Sequence, residues 1–292
     1  MTLTPLLIAG PTASGKSAYA LERARREPSV IVNADSMQVY RDLRIVTARP
    51  SPSDEAETSH ALYGFVPVPQ AYSAGQYVRD VAQVLRQARE QNVRPIIVGG
   101  TGLYFKALLE GLSPIPEIPA DVRTFWRAEA SRMSSAELHA VLAARDAGMA
   151  ARLRPTDPQR VTRALEVLDA TGQSLGMWQK TAGTPLIDAY ACEKVVVHAD
   201  RATLYVRADA RFDAMIAAGA LEEVHRLGVL KLDPALPVMR ALGVPQLLQH
   251  DRGEMSLAQA ADAAKMETRR YIKRQLVWLK RNMTTWEAYT AQ

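Results

Sequence analysis

Eight residues near the amino terminus, Gly10-Pro11-Thr12-Ala13-Ser14-Gly15-Lys16-Ser17, spell G-x-x-x-x-G-K-[ST], and no other stretch constrains the fold as tightly. The pattern works as a turn between a strand and a helix. Its glycines let successive backbone N–H groups face an anion, Lys16 adds a point charge, and Ser17 offers a hydroxyl to a magnesium ion. The flanks supply both elements: residues 5–9 (PLLIA) read as a short buried strand, and residues 16–26 (KSAYALERARR) as a helix whose positive end points at the ligand. A ligand carrying at least two phosphates is expected there.

Strand and helix then alternate. Residues 30–34 (VIVNA) form a second apolar run that ends at Asp35, while residues 41–75 are rich in Pro, Ser and charge and read as loop with short elements. Val78, Val81, Ala82, Leu85 and Ala88 recur at helical spacing within residues 76–91. Residues 95–100 (PIIVGG) make a third strand, and residues 101–111 resume as helix. Such alternation implies a parallel sheet with right-handed crossovers. It breaks at a proline-rich hinge, residues 113–119 (SPIPEIP); helical segments follow at 120–132, 135–146 and 158–171, the last with Asp157 as N-cap and Pro158 at the first helical position. Strand pattern returns at residues 194–198 (KVVVH), and 200–284 read as helical. The expected fold class is α/β: a P-loop NTPase-like parallel sheet core flanked by helices, built from residues 1–113 and 191–292, with an all-helical insertion domain at 114–190.

Composition excludes several classes. Of the 292 residues 48% are apolar and 23% charged, as in an ordinary soluble globule. No apolar run approaches a membrane span, and residues 1–10 lack the basic start and apolar core of a signal peptide. A single cysteine, Cys192, forbids an internal disulfide and a cysteine-built zinc site, so the cytoplasm is the expected compartment. The five histidines show no ligand spacing. A net charge of +5 favours a polyanionic partner, though many enzymes of small anions are also basic.

Where that charge sits says more. Lys265, Arg269, Arg270, Lys273, Arg274, Lys280 and Arg281 fall within about half the circumference of one helix, with Glu267 only at the border. A solvated face normally mixes signs to gain i,i+4 pairs, so contact with a phosphate backbone is expected. Asp35, at the carboxyl end of an apolar strand, is open to three readings: a magnesium carboxylate, a general base near bound phosphates, or a cap of the next turn. Gly99-Gly100-Thr101-Gly102-Leu103-Tyr104 is a second glycine-rich turn, in which Thr101 caps a helix, touches a ligand, or does both. Arg160 and Arg163 lie one turn apart at a helix end that favours anions.

These motifs, taken together and in order, resemble the tRNA dimethylallyltransferases (tRNA isopentenyltransferases) of bacterial type. The resemblance rests on residues 10–17, Asp35-Ser36, residues 99–104, residues 157–166 (DPQRVTRALE), and Lys273-Arg274-Gln275 with Trp278-Leu279. It implies transfer of a dimethylallyl group from dimethylallyl diphosphate to N6 of an adenosine adjacent to the tRNA anticodon, on a monomer that needs Mg2+ and no membrane. By it, Gly10, Pro11, Thr12, Ala13, Ser14, Gly15, Lys16, Ser17 and Arg211 hold diphosphate, with Ser17 on the metal. Asp35 is the base, with Lys16 and Thr101 beside it in the chemistry. Asp35, Ser36, Met37, Gln38, Thr101, Arg123, Gln159, Arg160, Val161, Thr162, Arg163, Lys273, Arg274, Gln275 and Lys280 contact tRNA, its anticodon stem-loop in particular. One departure stands out. Where the family has Arg-x-x-Gly-Tyr-Arg/Lys, this chain has Arg240-Ala241-Leu242-Gly243-Val244-Pro245, which implies weaker tRNA affinity or compensation elsewhere. Two other readings use the same motifs. A P-loop small-molecule kinase leaves the basic helix face unexplained, and a nucleotide-gated RNA-binding protein leaves Asp35 and Thr101 without a task.

Overall fold

Strands of four to six apolar residues hold together only when covered on both faces, and this chain covers them with helices. The computed structural model describes residues 4–290. Its elements run β1 (Leu6–Ala9), α1 (Lys16–Ala24), β2 (Ser29–Asn33), α2 (Pro52–Glu57), β3 (Ser59–Ala61), α3 (Ala74–Glu90), β4 (Arg94–Gly99) and α4 (Gly102–Glu110). Five helices follow without a strand: α5 (Ala120–Arg132), α6 (Ser135–Arg145), α7 (Ala147–Ala150), α8 (Pro158–Thr171) and α9 (Leu175–Trp178). The chain ends with β5 (Glu193–His198), α10 (Arg201–Ala217), α11 (Ala220–Val229), a 3-10 turn at Pro237–Arg240, α12 (Val244–Asp251), α13 (Leu257–Asn282) and β6 (Glu287–Thr290).

The strands form one parallel sheet in the order β3-β2-β4-β1-β5-β6, with Leu6 of β1 opposite both Ile96 of β4 and Glu193 of β5. Successive side chains face opposite layers. Leu6, Ile8, Ile31, Ile96, Val98, Val195 and Val197 pack on Ala20 and Ala24 of α1. Leu7, Ala9, Val30, Val32 and Ile97 pack on Tyr104, Phe105 and Leu108 of α4 and on Leu279 of α13. Each fully buried Leu or Ile here contributes about 1.5–3 kcal/mol relative to exposure.

The chain folds into two compact units, one running to Leu109 and resuming at Leu186, the other Glu110–Pro185. The second has its own core of Trp126, Leu138, Leu142, Val161 and Leu165, and its helix α8 starts as expected, with Asp157 accepting from the Arg160 N–H and Pro158 at the first position.

Three features differ from the sequence reading. β3 has only three residues and exists through its pairing with Val30–Val32, so no periodicity announces it. β6 is a mostly exposed edge strand that pairs on one side with β5. α13 begins at Leu257, eight residues before Lys265, because Ser256 and Gln259 close a capping box there.

The topology decides where chemistry can happen. The P-loop leaves β1, Asp35 leaves β2, Gly100-Thr101 leaves β4, and α10 follows β5. All four strands are parallel, so all four connections emerge at one edge, where open α/β sheets bind ligands.

Candidate active site

The P-loop presents open donors. Gly15 takes φ 87° just before α1, which carries no side-chain cap, so the first-turn N–H groups of Lys16–Ala24 are left for an anion. Ala13 also lies in the left-handed region at φ 64°. Ser14 is fully buried, and its hydroxyl has no partner among the described residues. Lys16 donates to the Pro11 carbonyl at 3.3 Å, and Ser17 is exposed at the second helical position.

Asp35 sits on a turn held from three sides. Asn33, fully buried at the end of β2, accepts from the Asp35 N–H at 2.8 Å and donates to the carbonyls of Asp35 and Leu62 at 2.9 and 3.0 Å. Asp35 Oδ1 accepts from the Met37 N–H at 2.9 Å, so the carboxylate does cap its own turn; no hydrogen bond occupies Oδ2 among the described residues. Thr101 Oγ1 accepts from the Ser36 N–H at 3.0 Å, and the Thr101 N–H donates to the Ala34 carbonyl at 3.1 Å. The Thr101 hydroxyl therefore stitches β4 to the Asp35 turn.

Electrostatics join the two loops. Burial pulls the Lys16 ammonium down to about 8; the nearby Asp35 charge opposes that fall, and the Arg211 charge reinforces it. Burial likewise lowers the half-buried Arg211 guanidinium of α10, again against Asp35. Lys16, Asp35 and Arg211, which follow three different strands, thus share one field. The phenols of Tyr63, Tyr104 and Tyr271 are all raised, by burial first and by Asp35 second.

The other expected residues divide. On α13, Lys273, Lys280 and Arg281 are exposed with no carboxylate partner among the described residues, and Arg274 lies over the Tyr271 ring at 5.5 Å. With Lys106, Val277, Trp278 and Asn282, three of these cations line a cavity of about 600 Å³. The rest of the basic face is already neutralised: Lys265 pairs with Asp213 at 2.6 Å, Arg269 with Asp209, and Arg270 with Glu267. The seven-cation stripe thus narrows to its carboxyl-terminal part, because two of the three partners come from α10.

In the second unit Arg160 is exposed and pairs with Asp157, Arg163 pairs with Glu166, and Arg123 donates to the Ile118 carbonyl at 3.1 Å. Gln159 is exposed at the start of α8. Val161 and Thr162 are buried, the latter donating to the Pro158 carbonyl at 2.8 Å, so neither side chain is free for tRNA. Gln38 spends its amide on the carbonyls of Thr47 and Ala48, both at 2.8 Å, and Met37 packs against a core cluster. Gln275 is buried as well. At the departure in residues 244–245, Val244 is fully buried in the core and Pro245 is exposed.

Two family models match the chain. One described as IPP transferase matches residues 38–282, and one described as Isopentenyl transferase matches residues 4–64. A tRNA dimethylallyltransferase of Nitrobacter hamburgensis is 52% identical over 278 residues, 95% of this chain and 88% of that one. The chain belongs to the tRNA dimethylallyltransferase family. Among solved structures of the family, the tRNA isopentenylpyrophosphate transferase of Bacillus halodurans is 27% identical with TM-score 0.70, over 98% of this chain and 89% of that one. A eukaryotic dimethylallyltransferase described as acting on tRNA shares the fold at TM-score 0.83 and 22% identity, over 99% of this chain and 74% of that one. The kinase and RNA-binding readings do not account for a match of this extent. Two features of the Asp35 turn escape sequence reading: Asn33, which holds it, and the phenols of Tyr63, Tyr104 and Tyr271, which lie within the field of Asp35. A polar residue closing an apolar strand was the one signal for Asn33.

Proposed function

We propose that this chain moves the dimethylallyl group of dimethylallyl diphosphate to N6 of an adenosine adjacent to the anticodon of a tRNA, releasing diphosphate. The observation that carries the reading is the shared field of Lys16, Asp35 and Arg211 at the carboxyl edge of the sheet, in a chain of this family.

The open amides at the start of α1, with Lys16 and Arg211, hold the diphosphate and stabilise charge as it grows on the leaving oxygen. The N6 lone pair attacks the allylic carbon, the carbon–oxygen bond breaks with its electron pair going to diphosphate, and the N6 proton passes to Asp35 Oδ2. Asn33 and the Thr101 hydroxyl keep that carboxylate aimed, with its other oxygen tied to Met37. The target base must leave its stack to reach the edge of the sheet. We assign contact with the tRNA backbone to Lys273, Arg274, Lys280 and Arg281 of α13, and to Arg123, Gln159, Arg160 and Arg163 of the helical unit, which we take as the insertion domain.

Mg2+ fits the donors present. The described residues hold no group of three or more His, Cys, Asp or Glu that would cage an ion, and Ser17 is exposed beside open helix-start amides. That is the setting for a cation held by one protein oxygen, substrate phosphates and water. Bound there by Ser17, it supplies further positive charge to the leaving group. Among the described residues no helix is long and apolar enough to cross a membrane, and we place the reaction in the cytoplasm.

The test is incubation with labelled dimethylallyl diphosphate and an unmodified anticodon stem-loop. Label on adenosine N6 is expected. Unlabelled RNA, or ATP consumption stimulated by a small acceptor, overturns the reading.

A further inference from the structure

One buried side chain on α13 touches both halves of the site. Gln275 lies between the exposed Lys273 and Val277, yet it is only 7% exposed itself. Its Oε1 accepts from the Thr12 N–H at 2.9 Å, and its Nε2 donates to the Gly100 carbonyl at 3.1 Å. Both partners are backbone groups, 263 and 175 residues away in sequence. The fit is close, for a Cβ on Gly100 would stand 2.4 Å from Nε2.

These bonds have a direct consequence. The Thr12 amide is occupied by Gln275, so it is not one of the donors left for an anion; it anchors the outer arm of the P-loop instead. Gly100 precedes Thr101, whose hydroxyl holds the Asp35 turn. One amide therefore spans from the diphosphate cradle to the end of β4, whose Thr101 holds the turn of the base. A preorganised cradle gains its effect from donors already aimed, and an error of about 1 Å can cost two orders of magnitude in rate.

Resting on the function proposed above, we infer that Gln275 is a positioning residue for the diphosphate cradle and not a contact for tRNA. It acts through Thr12 and Gly100 and sets the spacing between leaving group and base.

Two neutral variants, Gln275→Met and Gln275→Leu, remove both bonds and add no charge. With Mg2+ and inorganic pyrophosphate as the probe, calorimetry should show binding weakened about tenfold, the order expected when buried hydrogen bonds are lost. kcat for prenyl transfer should fall as well, while affinity for the anticodon stem-loop stays within about twofold. Melting curves report whether each variant folds. In the wild type, hydrogen exchange at the Thr12 amide should be protected before any ligand is added, a readout that needs no variant. Pyrophosphate affinity unchanged in a folded variant, a loss confined to RNA affinity, or an unprotected Thr12 amide overturns the inference. A wild type that binds pyrophosphate but labels no RNA would instead sink the prenyl-transfer reading and leave the Gln275 result standing.

Discussion

Gly99 is where the sheet allows least room. It ends β4 beside the end of β2, and a Cβ built on it would stand 2.1 Å from the Ala34 carbonyl oxygen, 2.2 Å from its carbon and 2.7 Å from the Ala34 α-carbon. All three atoms are backbone, so no side-chain rotation relieves the overlap. Ordinary contact begins near 3.4 Å, so Gly99→Ala must part the two strand ends by about 1.3 Å. Asp35 follows Ala34 directly, and Thr101, two residues past Gly99, holds the Asp35 turn through Ser36. The displacement therefore falls on the proposed base. Overpacking of this kind costs about 1–3 kcal/mol in stability, and a shift of about 1 Å costs about a hundredfold in rate. Prenyl transfer at saturating dimethylallyl diphosphate and stem-loop RNA should thus lose about two orders of magnitude in kcat. Gly75→Ala is the control: the nearest atoms to its Cβ are 3.9 Å away, and a helical Gly→Ala change gains up to about 1 kcal/mol. A Gly99→Ala enzyme that keeps kcat within twofold of wild type refutes the claim that the β2–β4 spacing sets the position of Asp35.

Other consequences can be checked separately. Asp35→Asn keeps an oxygen for the Met37 N–H but cannot take a proton, so kcat should fall by roughly 10²–10⁴ while affinities for pyrophosphate and RNA change little; lost binding would mark Asp35 as a ligand contact instead. Lys16, held to about 8 in the free site, loses its proton as pH rises through that value, whereas a bound diphosphate favours the charged form. Binding should therefore weaken about fivefold between pH 8 and 9 relative to Lys16→Arg, which does not titrate there; parallel pH profiles for the two proteins would contradict this. On α13, Lys273→Ala and Arg281→Ala should each reduce the salt dependence of RNA binding by about one counterion, while Lys265→Ala and Arg269→Ala, whose charges are spent on Asp213 and Asp209, should leave it nearly unchanged. Equal slopes for both pairs would show that the intramolecular ion pairs open when RNA binds.

What could be read from the chain beforehand follows a physical division. The P-loop, the Asp35 turn and the Gly100-Thr101 turn were legible because each states its chemistry within a few adjacent residues. The left-handed position before α1 shows its glycine, Gly15, and an anion cradle shows its lysine and serine. The alternation of strands and helices then predicted a parallel sheet, and in it the turns after β1, β2 and β4 emerge at one edge. Other features depend on partners remote in sequence and leave no local trace. The basic stripe of α13 looked continuous because Asp209 and Asp213, which neutralise two of its members, stand on α10. Val244 looked like a missing aromatic contact because orientation cannot be read from one residue; packing turns it into the core beside Leu247.

Gln275 shows the limit most sharply. The family resemblance implies that Gln275, beside Lys273 and Arg274, contacts tRNA. Burial reverses that reading, because a buried amide has to satisfy its donor and its acceptor inside the protein. The partners it finds are the Thr12 N–H and the Gly100 carbonyl. The P-loop motif names its own residues, but a side chain more than 250 residues downstream hydrogen-bonds it from α13. Substitutions on the buried side of α13 should therefore register first in diphosphate binding, and those on its exposed side first in RNA binding.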